Sequence, residues 1–191
     1  MKSIMISIKP QLVSKILNKE KLVEIRKTMP KCELHCKVYI YCTKSKPTLQ
    51  YFYNWQNYKP ISKCSTWASG RTLNCGEYGN GKVVAEFTLN KVDILERDLN
   101  DWLPKNRYDV SNELLKNINF NQEQLWNYGQ GKILYAWHID DLKVYDKPKE
   151  LSEFSIGKAK IACGYGNYNI YNKILKRPPQ SWCYVEELEN E

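Results

Sequence analysis

Apolar and polar positions alternate weakly over Ser3–Ile8, which predicts a short first strand. Pro10 stands where a helix can begin, because the N–H it lacks would go unused in the first turn. Leu12, Val13, Ile16 and Leu17 recur at helical spacing, and the stripe ends near Asn18-Lys19. Leu22–Lys27 predicts a second strand, with Val23 and Ile25 on one face and Leu22, Glu24 and Arg26 on the other. Cys36–Thr43 predicts a third, and Lys82–Val92 a fourth, through Val83, Val84, Ala85, Phe87 and Leu89. Residues 95–129 have helical tendency. Ser111 is placed to cap 113–118, Asn121 and Gln124 resemble a capping box, and Gly129 is a candidate C′ residue. Ile133–Ile139 predicts a strand with Ile133, Tyr135, Trp137 and Ile139 on one face and Leu134, Ala136 and His138 on the other. After the break at Asp140-Asp141, Leu142–Tyr145 continues the sheet. Residues 146–180 read mainly as loop, and Gln180–Glu186 as the last strand.

Between the third and fourth strands, residues 46–80 follow neither period. They hold Tyr51, Phe52, Tyr53, Trp55, Tyr58 and Trp67 among Pro, Ser, Asn and Gly, and read as an aromatic-rich insertion. Strands spread along the chain with few helices between them point to an α+β fold, a small mixed barrel rather than a doubly wound sheet. The 191 residues suit one domain. Hydrophobic residues at 42% and charged residues at 26% exclude disorder of the whole chain. No apolar run approaches the length of a membrane span, and the start lacks the apolar region of a signal peptide. A cytoplasmic protein is expected.

The charge is informative once located. The net +8 comes from 29 basic and 21 acidic residues. Residues 1–50 hold 11 of the basic and 3 of the acidic side chains, so the other 141 residues balance at 18 each. Basic charge polarised in this way is the footprint of a polyanion-binding face; the plainer alternative is a basic, solvated surface. The seven cysteines, an odd number without a signal peptide, argue for free thiols in a reducing compartment. Cys32 and Cys36 flank His35, and Cys64 and Cys75 could complete a zinc set. Cys36, Val38, Ile40 and Cys42 alternate, however, as the buried face of a strand does. The strand reading is preferred, and no metal or cofactor is assigned.

Two glycine motifs fail on context. Gly76-Glu77-Tyr78-Gly79-Asn80-Gly81-Lys82 has the spacing of a phosphate loop, but Val83 replaces the hydroxyl residue and a strand follows. Cys163-Gly164-Tyr165-Gly166 lacks the third glycine of a dinucleotide loop. The segment Ile16–Arg26 is different. A helix runs into a strand with Lys21 at the junction, and Glu24 and Arg26 follow on one face. Arg26 can hold a phosphate or carboxylate bidentately, and Glu24 can orient its neighbours or accept from a base's amino group. A solvated strand edge is the plain alternative.

This segment resembles the signature of the ASCH family of the PUA-like superfamily, roughly Gly-x-Lys-x-x-Glu-x-Arg. Lys21, Glu24 and Arg26 match, and Lys19 stands where Gly is usual. Val38–Lys44 and Gly81–Phe87 are similar to the family's next strands. Tyr135–Pro148 and Pro178–Val185 resemble its phage and prophage branch. The likeness covers 1–45, 81–150 and 176–187 and is weak over 46–80 and 151–175. It implies a PUA-like β-barrel with helices at its rim, and a cleft beside the helix–strand junction for RNA or a modified base. Some relatives are amidohydrolases acting on acetylated cytidine, with a Lys matching Lys21 but a Thr where this chain has Glu24. Another is a ribonuclease. The departure at Glu24 keeps their catalysis from carrying over residue by residue.

Three functions follow as expectations. The first is binding of RNA or a modified nucleotide in a basic cleft. Lys21 and Arg26 would supply charge and Glu24 a polar contact, while Tyr39 and Tyr41, on the outer face of their strand, and the insertion's aromatics would offer stacking surfaces. Trp137, His138, Gln180 and Ser181 are further candidate contacts. The second is a metal-independent ribonuclease or nucleoside-modification hydrolase, with Lys21, Glu24 and His138 as its catalytic groups. The third is a phage-encoded protein that blocks a host defence protein through the aromatic insertion. A Trp in such a strand is more often core than a stacking platform, and His138 reads as a satisfied core residue, a cleft donor or a general base.

Overall fold

The computed structural model describes residues 2–31, 33–44, 52–54, 59–60, 73–74, 81–99, 106–164 and 167–188. β1 (Lys2–Ile8) is buried on both faces from Ser3 onward, which is why its alternation is weak. It lies between β3 (Cys36–Cys42), which it pairs in parallel, and β13 (Trp182–Glu186), which it pairs antiparallel. β7 (Val83–Leu89) and β10 (Asp140–Lys149) extend the sheet to the order β10-β7-β3-β1-β13. A second sheet has the order β2-β9-β8, from β2 (Val23–Arg26), β9 (Leu134–His138) and β8 (Val92–Leu95). These ladders are open; no closed barrel is formed among the described residues.

The strand faces decide the layers. Ile4, Ile6, Ile8, Val38, Ile40 and Phe87 pack with Val13, Ile16 and Leu17 of α1 (Pro10–Leu17) and with Trp137 of the second sheet. The opposite face of the large sheet places Met5, Tyr39, Tyr41, Val83 and Tyr145 against Phe154 and Leu175. The outer face of the small sheet, with Val23, Ile25, Leu134 and Ala136, is covered by α2 (Asn112–Ile118) and α3 (Gln122–Gly129). Ser111 caps α2 by accepting from the Leu114 N–H, and Asn121 and Gln124 form the full capping box on α3.

Four expectations need correction. The fourth predicted strand divides at Asn90-Lys91, and β8 leaves to pair with β9 in the other sheet. Residues 95–111 are not helical where described; Arg97 forms a bridge to Tyr108. Gly129 is the last helical residue rather than C′. Gln130 takes the left-handed position at φ 53°, and Gly129 is required because a Cβ there would sit 1.9 Å from the Tyr108 hydroxyl. Residues 146–180 are not mainly loop. β10 runs on to Lys149, and β11 (Ser155–Gly164) pairs antiparallel with β12 (Asn167–Ile174). Exposed strands on a two-stranded ribbon lack the one-sided apolar pattern that reveals a buried strand. The insertion does connect neighbouring strands, since β3 pairs with β7. Beyond three short strands, β4 (Phe52–Asn54), β5 (Lys59–Pro60) and β6 (Leu73–Asn74), it lies outside the described residues, and so does its proposed contact surface.

Candidate functional site

The site begins with the way α1 ends. Lys19 N–H donates to the Ile16 carbonyl and Glu20 N–H to the Lys15 carbonyl, the paired bonds of a Schellman turn. Lys19 occupies the left-handed position at φ 58°. This is the position at which the resembled signature has glycine, and the backbone gives the reason. The turn sends Lys21 inward instead of along the helix surface. The C-terminus of α2 secures it: Leu22 N–H donates to the Asn117 carbonyl at 2.8 Å, and Lys15 Nζ donates to Asn119 Oδ1 at 2.5 Å.

Lys21 is 1% exposed. Its Nζ donates to the Ile118 carbonyl at 2.7 Å, at the negative end of α2, and lies 5.1 Å from the centre of the Phe120 ring. Glu24 reaches both cations. Its Oε1 is 3.1 Å from Arg26 Nη2, and its Oε2 is 3.5 Å from Lys21 Nζ, an ion-pair distance rather than a hydrogen bond. Arg26 Nη2 also donates to the Ser7 carbonyl at 2.8 Å, and Nη1 to Ser181 Oγ at 3.3 Å. Burial, which disfavours an ammonium, lowers the Lys21 pKa from its ordinary value, and Glu24 only partly offsets this. Glu24 Oε2 and Arg26 Nε are buried without a hydrogen-bond partner among the described residues.

These three side chains border a cavity of about 1370 Å³. Phe120, Tyr128 and Tyr41 contribute aromatic surface to it. Lys9, Lys27, Lys44 and Lys176 also line it, so six basic groups face two carboxylates, Glu24 and Glu150. The latter is paired with Lys82 at 2.8 Å. Burial raises the Tyr128 hydroxyl above its ordinary pKa, so the phenol is neutral and can donate.

The cavity gathers Lys21, Glu24, Arg26, Tyr41, Gln180 and Ser181 from the sequence candidates. It does not gather the other three. Tyr39 is fully buried in the sheet core; it stands edge-on to Phe154, and its hydroxyl accepts from Leu188 N–H at 3.0 Å. The expected outer face of β3 is covered by the chain that follows β10, so Tyr39 cannot stack a base. Trp137 is likewise fully buried, between the two sheets. His138 lies outside the cavity. Its Nε2 is 2.7 Å from Asp93 Oδ2 on neighbouring β8. Burial would raise the Asp93 carboxyl, but hydrogen bonds from His138 and Lys91 outweigh it and hold the pKa below its ordinary value. The Lys21–His138 juxtaposition expected for RNA cleavage is therefore absent. Conversely, the sequence pattern did not mark Phe120, Tyr128 or the α2 terminus; helical spacing gives no hint that this end meets the Lys21 turn.

Cys36 and Cys42 are buried in the core of the large sheet, and His35 Nδ1 is 2.8 Å from Asn90 Oδ1. Among the described residues no cluster of His, Cys, Asp and Glu could hold a metal; Cys32, Cys64 and Cys75 lie outside them. No described helix is long and apolar enough to cross a membrane.

The architecture is that of ASCH structures. The chain is similar to the crystal structure of ASCH from Zymomonas mobilis, with 15% identity and a TM-score of 0.52, covering 97% of this chain and 88% of that one. Two variants of that protein, one Tyr-to-Phe and one Ser-to-Ala, align at 16% identity and a TM-score of 0.49. The first covers 98% of this chain and 92% of its own, the second 97% and 89%. No family model and no curated protein matches the sequence. Likeness at this identity establishes the fold and leaves the activity to the site.

Proposed function

We propose that the cavity binds a base of RNA or a modified nucleotide, and that the chain is a PUA-like nucleic-acid-binding module. The observation that carries this is a pair of buried atoms at the cavity wall that have no hydrogen-bond partner among the described residues. Glu24 Oε2 is an acceptor and Arg26 Nε a donor, held by neighbouring residues of one strand face. A nucleobase edge presents the complementary set, an amino or ring N–H beside a carbonyl or ring nitrogen. Phe120 and Tyr128 offer ring faces to the same space, and the surrounding lysines suit a phosphate. The Lys21–Glu24–Arg26 network is held by Ile118, Ser7 and Ser181, so its geometry is set before a ligand arrives.

Calorimetric titration with a panel of nucleosides, nucleotides and short RNAs tests the reading. At least one is expected to bind, with affinity reduced tenfold or more in Glu24→Gln, about 1.4 kcal/mol. Lack of binding across the panel, or equal affinity in the variant, overturns it. The lowered Lys21 pKa inside a cavity favours a second reading, hydrolysis of a modified nucleoside with Lys21 as the reacting or proton-transferring group. Turnover in chelator, abolished in Lys21→Met, would establish that reading.

A further inference from the structure

We propose that the β11–β12 ribbon is an arm that enters the major groove of duplex DNA. This surface is separate from the Glu24–Arg26 pair and does not depend on what the cavity binds. The ribbon strands carry Lys158, Lys160 and Lys173, and residues 155–177 hold no acidic residue; Lys176, beyond β12, belongs to the cavity lining. The three ribbon lysines are exposed, and none forms an ion pair among the described residues.

Exposed side chains stand on both of the ribbon's faces among the described residues. On one, Lys158 and Lys160 stand opposite Asn172 and Ile170. The other carries Ile161, Tyr171 and Lys173. Ile161 is 54% exposed and Ile170 62%, far more than a ribbon covered by its own chain would show. A two-stranded ribbon is marginal by itself, and this one is held at its base, where Phe154 and Leu175 are buried in the core.

Positive groups on both faces suit a site with phosphates on both sides, which a groove supplies and a flat surface does not. The major groove of B-form DNA is about 12 Å wide and admits a two-stranded ribbon. The major groove of an RNA duplex is too deep and narrow for side chains to read. The eight residues of β12 span about 26 Å, or about eight base pairs. Exposed Ile161 and Ile170 would meet the apolar C5-methyl groups of thymine, and Asn172 can bond a base edge. A protein partner would answer the isoleucines equally well but would leave the acid-free charge unexplained.

The test is fluorescence anisotropy with a labelled DNA duplex of about 20 base pairs, from roughly 50 to 300 mM salt. The comparison is between the intact chain and Lys158→Ala/Lys160→Ala/Lys173→Ala. These lysines are exposed, so folding is expected to survive, and circular dichroism checks it. Loss of three phosphate contacts should reduce the slope of log K against log salt by about 2 to 3. Nucleotide binding in the cavity should be unchanged, which separates failure of this proposal from failure of the cavity reading. Absence of duplex binding, an unchanged slope, or equal binding and equal loss with single-stranded DNA each overturns the proposal.

Discussion

Replacing Glu24 should cost more than any other single polar change in the described structure, and the geometry says how much. Its two oxygens lie 3.1 Å from Arg26 and 3.5 Å from Lys21. At an effective dielectric of about 20, each pair is worth about 5 kcal/mol of Coulomb attraction before desolvation is counted. Desolvation of three charges offsets most of that, so the triad as a unit contributes little net stability. Removing only the carboxylate is another matter. Lys21 and Arg26 remain buried as like charges with their shared counter-ion gone. The expected loss for Glu24→Ala is about 3 kcal/mol, the low end for a broken buried pair because the cavity admits water. Glu24→Gln keeps an acceptor for Arg26 and should lose about 2 kcal/mol. The assay is urea unfolding of Glu24→Gln, Lys21→Met and the double variant. The double variant should recover 1 kcal/mol or more relative to the sum of the singles, since each single strands the other's charge. Additivity within about 0.5 kcal/mol would refute the claim that Glu24 serves as counter-ion to Lys21.

Other expectations follow from single features of the fold. Lys19→Gly removes a side chain from a left-handed position and should raise stability by up to about 1 kcal/mol, read as a higher urea midpoint with an unchanged slope. Gly129→Ala should destabilise by 1 kcal/mol or more, because the new Cβ would overlap the Tyr108 hydroxyl and press on Leu134; thermal unfolding measures it. For Lys21, burial lowers the folded-state pKa below the ordinary 10.5. The unfolded chain then holds a proton that the folded chain has released, so stability should rise with pH across the window between those two values. Urea midpoints taken at pH values below 10.5 should show the rise in the intact chain and lack it in Lys21→Met.

Much of the frame was legible because it obeys short-range rules. Pro10, Ser111, and the Asn121–Gln124 pair mark helix starts through hydrogen bonds made within a few residues. β2, β3 and β9 lie where apolar alternation placed them. What escaped was decided at a distance. Nothing local tells that β8 changes sheets two residues after β7 ends. Nothing local tells that Phe154 and Leu175 cover Tyr39, which alternation had placed on an outer face. The same limit applies to His138: alternation marks its strand, but its partner Asp93 is 45 residues away on a neighbouring strand.

The charge shows why site and surface have to be separated. By count, all of the excess falls in the first 50 residues, which suggested one basic face there. Two of those cations, Lys21 and Arg26, are buried and share one carboxylate, so they act as a ligand-facing wall rather than as surface potential. The rest of the chain sums to zero, yet that zero contains an acid-free stretch, residues 155–177, whose ribbon strands expose three lysines. A net charge averages over surfaces that a partner meets separately. A buried wall of paired charges selects by hydrogen-bond geometry and responds weakly to salt, whereas unpaired lysines on a ribbon attract at range and are screened by it. Salt dependence is therefore the property that distinguishes the buried wall from the ribbon: binding of an uncharged nucleoside in the cavity should persist as ionic strength rises, and binding at the ribbon should not.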